Sequence, residues 1–222
     1  MWSSAKSKLP APGEALPGRA EKMPVPARHF VNGAPLDGPW PAGMQLATFG
    51  MGCFWGAERK FWEKEGVFST AVGYAGGTTP NPTYREVCSG LTGQNEVVQV
   101  VFDPKAVSYD ELLKLFWENH DPTQGYRQGN DAGTQYRSAI FYADEKQKEQ
   151  AAAFIKELDD AKTFKNPIVT TLEPLGDFYA AEDYHQKFYA NNPYQPYCQY
   201  MIPPKLTKLH KQFKELLKSH GG

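Results

Sequence analysis

Gly50-Met51-Gly52-Cys53-Phe54-Trp55-Gly56 constrains this chain more than any other stretch, because it sets a cysteine at the turn from an extended segment into a helix. Met44 to Phe49 reads as a short strand, and glycines at 50 and 52 permit a tight turn after it. From Phe54 to Lys64 there is no proline, and Phe54, Ala57 and Phe61 recur at helical spacing. A thiol in the first turn of a helix faces unpaired N–H groups and the positive end of the dipole, so Cys53 is expected to be acidic and nucleophilic. Taken without that setting, a single cysteine is more often a small buried hydrophobe.

The elements around this turn define a fold class. Val67–Tyr74 reads as a strand, and a long loop with Pro80 and Pro82 spans Gly76 to Gly93. Glu96–Phe102 reads as a valine-rich buried strand. Ser108-Tyr109-Asp110-Glu111 is a capping box that opens a helix carrying Leu112, Leu113, Leu115 and Phe116. After a second long loop from Asn119 to Thr134 come a strand at Tyr136–Tyr142, a helix from about Asp144 to Ala161 and a strand at Ile168–Leu172. The order is β-α-β-β-α-β followed by α-β, which predicts an α+β two-layer sandwich with a ferredoxin-like core and long irregular terminal segments. Residues 1–42, rich in proline and glycine, read as an extended arm that lies over the domain or is partly disordered, and residues 43–204 as the catalytic domain. A short helix is expected around Ala181–Tyr189. Residues 205–222 read as a basic helix and tail, with Leu206, Leu209, Phe213, Leu216 and Leu217 on one face docked against the body.

Composition excludes several functions. The net charge of −1, from 24 basic and 25 acidic residues, gives no general affinity for nucleic acid or for a membrane surface. No apolar run approaches the length of a transmembrane helix, and the N-terminus has the pattern of neither a signal peptide nor a transit peptide. Three cysteines, Cys53, Cys88 and Cys198, without CxxC spacing fit neither a zinc site nor a disulfide framework, so free thiols in a reducing compartment such as the cytoplasm are expected, with no metal and no cofactor.

The Gly50–Gly56 stretch resembles the active-site motif of the A-type peptide methionine sulfoxide reductases, which act on the S epimer of methionine sulfoxide. Further matches follow in order: Gly73-Tyr74-Ala75-Gly76-Gly77, Asn81-Pro82-Thr83-Tyr84, Glu96-Val97-Val98, Phe116 to Pro122, Gln128-Gly129-Asn130-Asp131, Gly133 to Ser138 and Ala181 to Gln186. The resemblance runs over roughly residues 14 to 204 and implies the same two-layer architecture. It also implies roles for the residues it covers. Cys53 is the nucleophile and Glu96 the proton donor, its carboxyl kept protonated by burial at the start of an apolar strand. Tyr84 and Tyr136 hold the sulfoxide oxygen. Phe54 and Trp55 form the apolar wall for the substrate methyl group. Asp131 is a water-holding carboxylate, and His185 a hydrogen-bonding residue near the site. Cys198, in a Pro-rich segment mobile enough to approach, is the thiol that resolves the Cys53 sulfenic acid, while Cys88 reads as a spectator. The substrates implied are free and protein-bound methionine sulfoxide, the reductant is thioredoxin, and a monomer is expected.

Two departures from the commoner family pattern stand out. After Cys198 the chain runs Gln199-Tyr200-Met201-Ile202-Pro203-Pro204 in place of a glycine-rich tail with a second recycling cysteine, and Gln94 stands where many relatives have His. A papain-like hydrolase using Cys53 and His185 is the rival reading. It lacks the glutamine upstream of the nucleophile that would supply an oxyanion hole.

Overall fold

In the computed structural model, residues 7–11 and 13–198 are described. Among these residues eight strands and five α-helices follow one another: β1 (Gln45–Met51), α1 (Phe54–Trp62), β2 (Val67–Ala75), α2 (Tyr84–Ser89), β3 (Asn95–Phe102), α3 (Tyr109–Glu118), β4 (Arg127–Gln128), β5 (Asp131–Ala132), β6 (Ser138–Tyr142), α4 (Glu145–Asp160), β7 (Thr171–Pro174), β8 (Tyr179–Ala180) and α5 (Phe188–Asn191). Six of the strands form one sheet in the order β7-β6-β1-β3-β2-β8. Its four central strands, β6-β1-β3-β2, pair antiparallel throughout, and β7 adds a parallel edge after the α4 crossover. That is the ferredoxin-like arrangement expected from the element order.

The side chains explain the layering. On one face Phe49 stacks on Phe61 of α1 with ring centroids 5.2 Å apart and on Phe116 of α3 at 5.4 Å, while Val72, Val98, Val100 and Ile140 fill the space between. The opposite face holds a smaller cluster of Ala75, Val97, Ala139 and Phe141, covered by Leu175 and Phe178 rather than by helices. The arm lies over the domain. Its Leu16 N–H donates to the carbonyl of Leu91, and Arg19 donates to Glu86 at 2.7 Å. Further along, the buried His29 hydrogen-bonds the Thr70 hydroxyl at 3.0 Å.

Several sequence expectations shift. The 76–93 loop contains the short helix α2, opened by a capping box in which Thr83 and Glu86 bond each other's backbone N–H. The 119–134 loop contains the β4–β5 hairpin. The strand expected at Ile168–Leu172 starts at Thr171, where it can pair with Ala139. The helix expected around Ala181–Tyr189 is a 3-10 turn at Asp183–His185 followed by α5, because Lys187 takes a left-handed conformation with φ of 57° that interrupts it. The expected helix after residue 204 lies outside the described residues.

One buried ion pair ties these layers together. Lys187, fully buried, sets its Nζ 2.5 Å from Glu58 Oε1 and 2.5 Å from the Thr70 carbonyl, and its own N–H donates to Glu58 Oε2 at 2.9 Å. Burial holds the Lys187 amine below its usual range while Glu58 pulls it back up. Glu58 also accepts from the Thr70 hydroxyl, so α1, β2, the arm and the segment leading to Cys198 meet at one carboxylate.

Candidate active site

The register of the sheet builds the site. In the β1–β3 ladder Phe49 lies opposite Val98, so the start of β3 stands beside the end of β1, where the chain turns toward Cys53. Gly52 makes that turn with φ of 89°, and a Cβ there would fall 2.6 Å from the Cβ of Gln128. Both the backbone angle and the close packing require glycine. Cys53 follows as the half-buried N-cap of α1.

Glu96, on the second residue of β3, is fully buried and accepts a hydrogen bond from the Phe54 N–H at 3.2 Å. Burial pushes its carboxyl up to about 8, with the Asp131 carboxylate adding to the rise and the Phe54 N–H opposing it. It is therefore an acid at neutral pH. Tyr84, first residue of α2, and Tyr136, at the end of a 3-10 turn, both feel the charges of Glu96 and Cys53, and burial raises both hydroxyls well above the usual tyrosine range. Tyr84 is held by Glu182, which accepts its backbone N–H at 2.7 Å and the Tyr74 hydroxyl at 3.0 Å. Cys53, Glu96, Tyr84, Tyr136 and Asp131 thus share one electrostatic environment.

Cys53 does not have the acidity expected from its helix position. Burial, the neighbouring Glu96 and Asp131 raise the thiol above the usual cysteine range, against the Trp55 N–H and the Tyr197 hydroxyl, which lower it. The helix end is outweighed because the first free N–H of the turn, that of Phe54, is already given to Glu96.

The two aromatics after Cys53 part company. Phe54 turns inward, fully buried, with its ring 5.9 Å from Tyr74 and 5.3 Å from His185. Trp55 is half-buried at the site, its indole N–H donating to His185 Nδ1 at 2.9 Å. His185 is held neutral, since burial lowers it to about 4 despite Glu182. With Nδ1 engaged by the indole, His185 does not form the pair with Cys53 that a papain-like hydrolase needs.

Sequence reasoning missed Tyr197. Its hydroxyl donates to Asp131 Oδ2 at 2.6 Å and lowers the Cys53 thiol against the burial that raises it, and its ring stands edge-on to Trp55 at 5.6 Å. Nothing in a lone tyrosine before a cysteine announces such a contact. Cys198 is buried and, with Cys53 and Cys88, is a free thiol. Gln94, the departure from histidine, is buried and donates to the Thr79 carbonyl at 2.8 Å while accepting from the Gly77 N–H at 3.1 Å, closing the loop before α2. Cys88, one turn after Tyr84 on α2, adds to the rise of the Tyr84 hydroxyl.

Residues 45–217 match the family model for peptide methionine sulfoxide reductase. The chain belongs to the peptide methionine sulfoxide reductase family. Among relatives, peptide methionine sulfoxide reductase MsrA 1 of Synechocystis is 60% identical over 195 residues, covering 87% of each chain. MsrA of Azotobacter vinelandii is 63% identical over 189 residues, 83% of this chain and 87% of that one. The solved structure of methionine sulfoxide reductase A of Corynebacterium diphtheriae superposes with a TM-score of 0.74 at 44% identity, covering 84% of this chain and 92% of the other. Reduced Mxr1 of Saccharomyces cerevisiae does so at 0.66 and 37% identity, over 70% and 89%. The reductase is an oxidoreductase of mixed α/β architecture. No helix among its described residues is long and apolar enough to cross a membrane.

Proposed function

We propose that this reductase converts free and protein-bound methionine-S-sulfoxide to methionine through a sulfenic acid on Cys53. The observation that carries the reading is the pairing of a cysteine with a buried carboxyl that stays protonated to about pH 8, flanked by two tyrosine hydroxyls. Reduction of a sulfoxide needs a soft nucleophile at sulfur and a proton at oxygen, because oxide is a very poor leaving group. Cys53 supplies the first and Glu96 the second, with Tyr84 and Tyr136 donating to the oxygen as its charge develops.

Cys53 gives up its proton as its sulfur attacks the sulfoxide sulfur. Glu96 protonates the oxygen as the Cys53–substrate sulfur bond forms; the protonated oxygen then passes to the Cys53 sulfur as the S–O and S–S bonds to the substrate sulfur break, so that methionine leaves, Cys53 is left as S–OH, and the proton from Cys53 replaces the one Glu96 gave. Cys198 then attacks the Cys53 sulfur, water leaves, and a Cys53–Cys198 disulfide remains. A dithiol of the thioredoxin class returns both sulfurs to thiols by exchange. Trp55 walls the methyl group, Phe54 supports that wall from behind, and His185 fixes the indole. Asp131 orders the polar side of the site. With Cys53, Cys88 and Cys198 all outside disulfides, a reducing compartment such as the cytoplasm fits the chemistry, and we expect the enzyme to act as a monomer. The assay is turnover of free and peptide-bound methionine sulfoxide with dithiothreitol. Sulfide formation from the S epimer alone is expected, and no turnover, or equal turnover of the R epimer, refutes the reading.

A further inference from the structure

Two residues of one short segment hold the Trp55 indole, the wall proposed for the substrate methyl group. The indole N–H donates to His185 Nδ1 at 2.9 Å, and Phe188 stacks on the ring with centroids 3.7 Å apart and planes 11° from parallel. The hydrogen bond fixes the direction of the indole edge, and the stacked ring fixes its plane. Trp55 is the second residue of α1 and only half-buried, so the helix alone leaves its side chain more than one rotamer. Its placement comes from these partners.

His185 and Phe188 reach one indole because the chain turns sharply between them. Lys187 has φ of 57° and ψ of 33°, a left-handed conformation that a residue with a Cβ rarely takes and that persists where its surroundings impose it. Glu58 imposes it here. Its Oε2 accepts the Lys187 N–H at 2.9 Å and its Oε1 accepts the Lys187 Nζ at 2.5 Å, so one carboxylate ties down both the backbone and the side chain of one residue. Both side chains are fully buried. Glu58 stands three residues after Trp55 on α1, one turn further along the same side of the helix. The helix that carries the indole thus also carries the group that places its two partners. Gln186, between His185 and Lys187, bonds Val72 of β2 through both ends of its carboxamide, its Oε1 accepting the N–H at 3.0 Å and its Nε2 donating to the carbonyl at 2.8 Å.

From these contacts we infer that Lys187 is a positioning residue for substrate specificity: held by Glu58, it sets His185 and Phe188 against Trp55 and so fixes the room left beside the sulfoxide sulfur for the substrate's alkyl group. The inference rests on the function proposed above, with Trp55 as the methyl wall. Lys187 spends its amine on Glu58 and the Thr70 carbonyl, away from the reacting atoms. Its loss therefore acts on binding and on the choice between methyl and larger alkyl groups, while the chemical step stays with Cys53 and Glu96.

The test is single-turnover reduction, by the full-length enzyme, of N-acetylmethionine-S-sulfoxide methyl ester and of its S-ethyl counterpart from ethionine. Lys187→Met alone strands the Glu58 carboxylate, so the variant used is the double substitution Glu58→Met with Lys187→Met, which leaves no buried charge. In it the half-saturating concentration of the methyl substrate should rise about tenfold, the rate at saturation should stay within about twofold of wild type, and the preference for methyl over ethyl should fall by about threefold or more. A loss of stability alone moves none of these in enzyme that is folded. Phe188→Ala, at a half-buried position that leaves the ion pair intact, should lower the methyl preference in the same way, and it decides the matter if the double variant does not fold. Wild-type selectivity in Phe188→Ala or in the folded double variant, or a saturated rate that falls while selectivity holds, overturns the inference. Wild-type enzyme is run beside them. Absence of turnover there refutes the functional reading, whereas wild-type turnover with selectivity kept in the variants refutes the positioning role alone.

Discussion

Glu96 carries its proton into the pH range where most carboxylates have long lost theirs, because full burial outweighs the hydrogen bond it accepts from Phe54. With the acid protonated below about pH 8, activity should hold through neutrality and fall roughly tenfold per unit above it, read from a pH profile of kcat. Glu96→Gln should lower the rate by about two orders of magnitude or more at pH 7, and a wild-type rate at pH 8 would move the acid role to a tyrosine. The same shift bears on stability. A carboxyl raised from 4.5 to about 8 favours the folded state fully below pH 4.5, and that contribution is lost as pH rises toward 8, at about 1.4 kcal/mol per unit. Glu96→Gln should therefore gain stability over the wild type at pH 9 while losing activity, measured by urea denaturation. Cys53→Ser should abolish reduction with any reductant, since a hydroxyl is neither ionised nor soft.

Among the elements, the Glu58–Lys187 pair decides most. Both side chains are buried, so removing one partner leaves an uncompensated charge. Glu58→Ala should cost about 3–5 kcal/mol in urea denaturation, and replacing both partners with apolar residues of similar volume should restore much of it. The elements were mostly legible in the sequence. The Ser108–Glu111 capping box opens α3 as expected, and valine-rich β3 is buried throughout. What the sequence hid were short elements whose signal is local. Thr83 and Glu86 form the same kind of capping box as Ser108 and Glu111, but they stand inside a glycine- and proline-punctuated stretch with no apolar periodicity after them. At the site, the position of Cys53 after a strand was readable, while its acidity was not. That property depends on Glu96 and Asp131, 43 and 78 residues away in the chain and brought alongside only by strand register and a hairpin. Tyr197 was hidden for the same reason: its partners are tertiary.

For the molecule as a whole, the chemistry proposed for the thiols is divided between a cysteine held at the sheet and one on the segment after Lys187. Cys53 is held by the sheet and α1, whereas Cys198 lies at the end of a stretch anchored at Lys187 and resting on Trp55. Cys88, on α2 beside Tyr84, has no place in the electron path proposed here, so Cys88→Ser should cycle with thioredoxin at a rate close to wild type. Cys198→Ser should instead reduce about one equivalent of sulfoxide and stall with thioredoxin, leaving a sulfenic acid on Cys53 that small thiols can still clear. The most direct test is a single turnover. The reduced wild-type enzyme is mixed with one equivalent of methionine-S-sulfoxide peptide, free thiols are blocked, and the protein is mapped by mass spectrometry. One equivalent of methionine peptide together with a Cys53–Cys198 bridge and an alkylated Cys88 is the expected result; methionine formed while Cys53 remains alkylatable, or a bridge from Cys53 to Cys88, would contradict it.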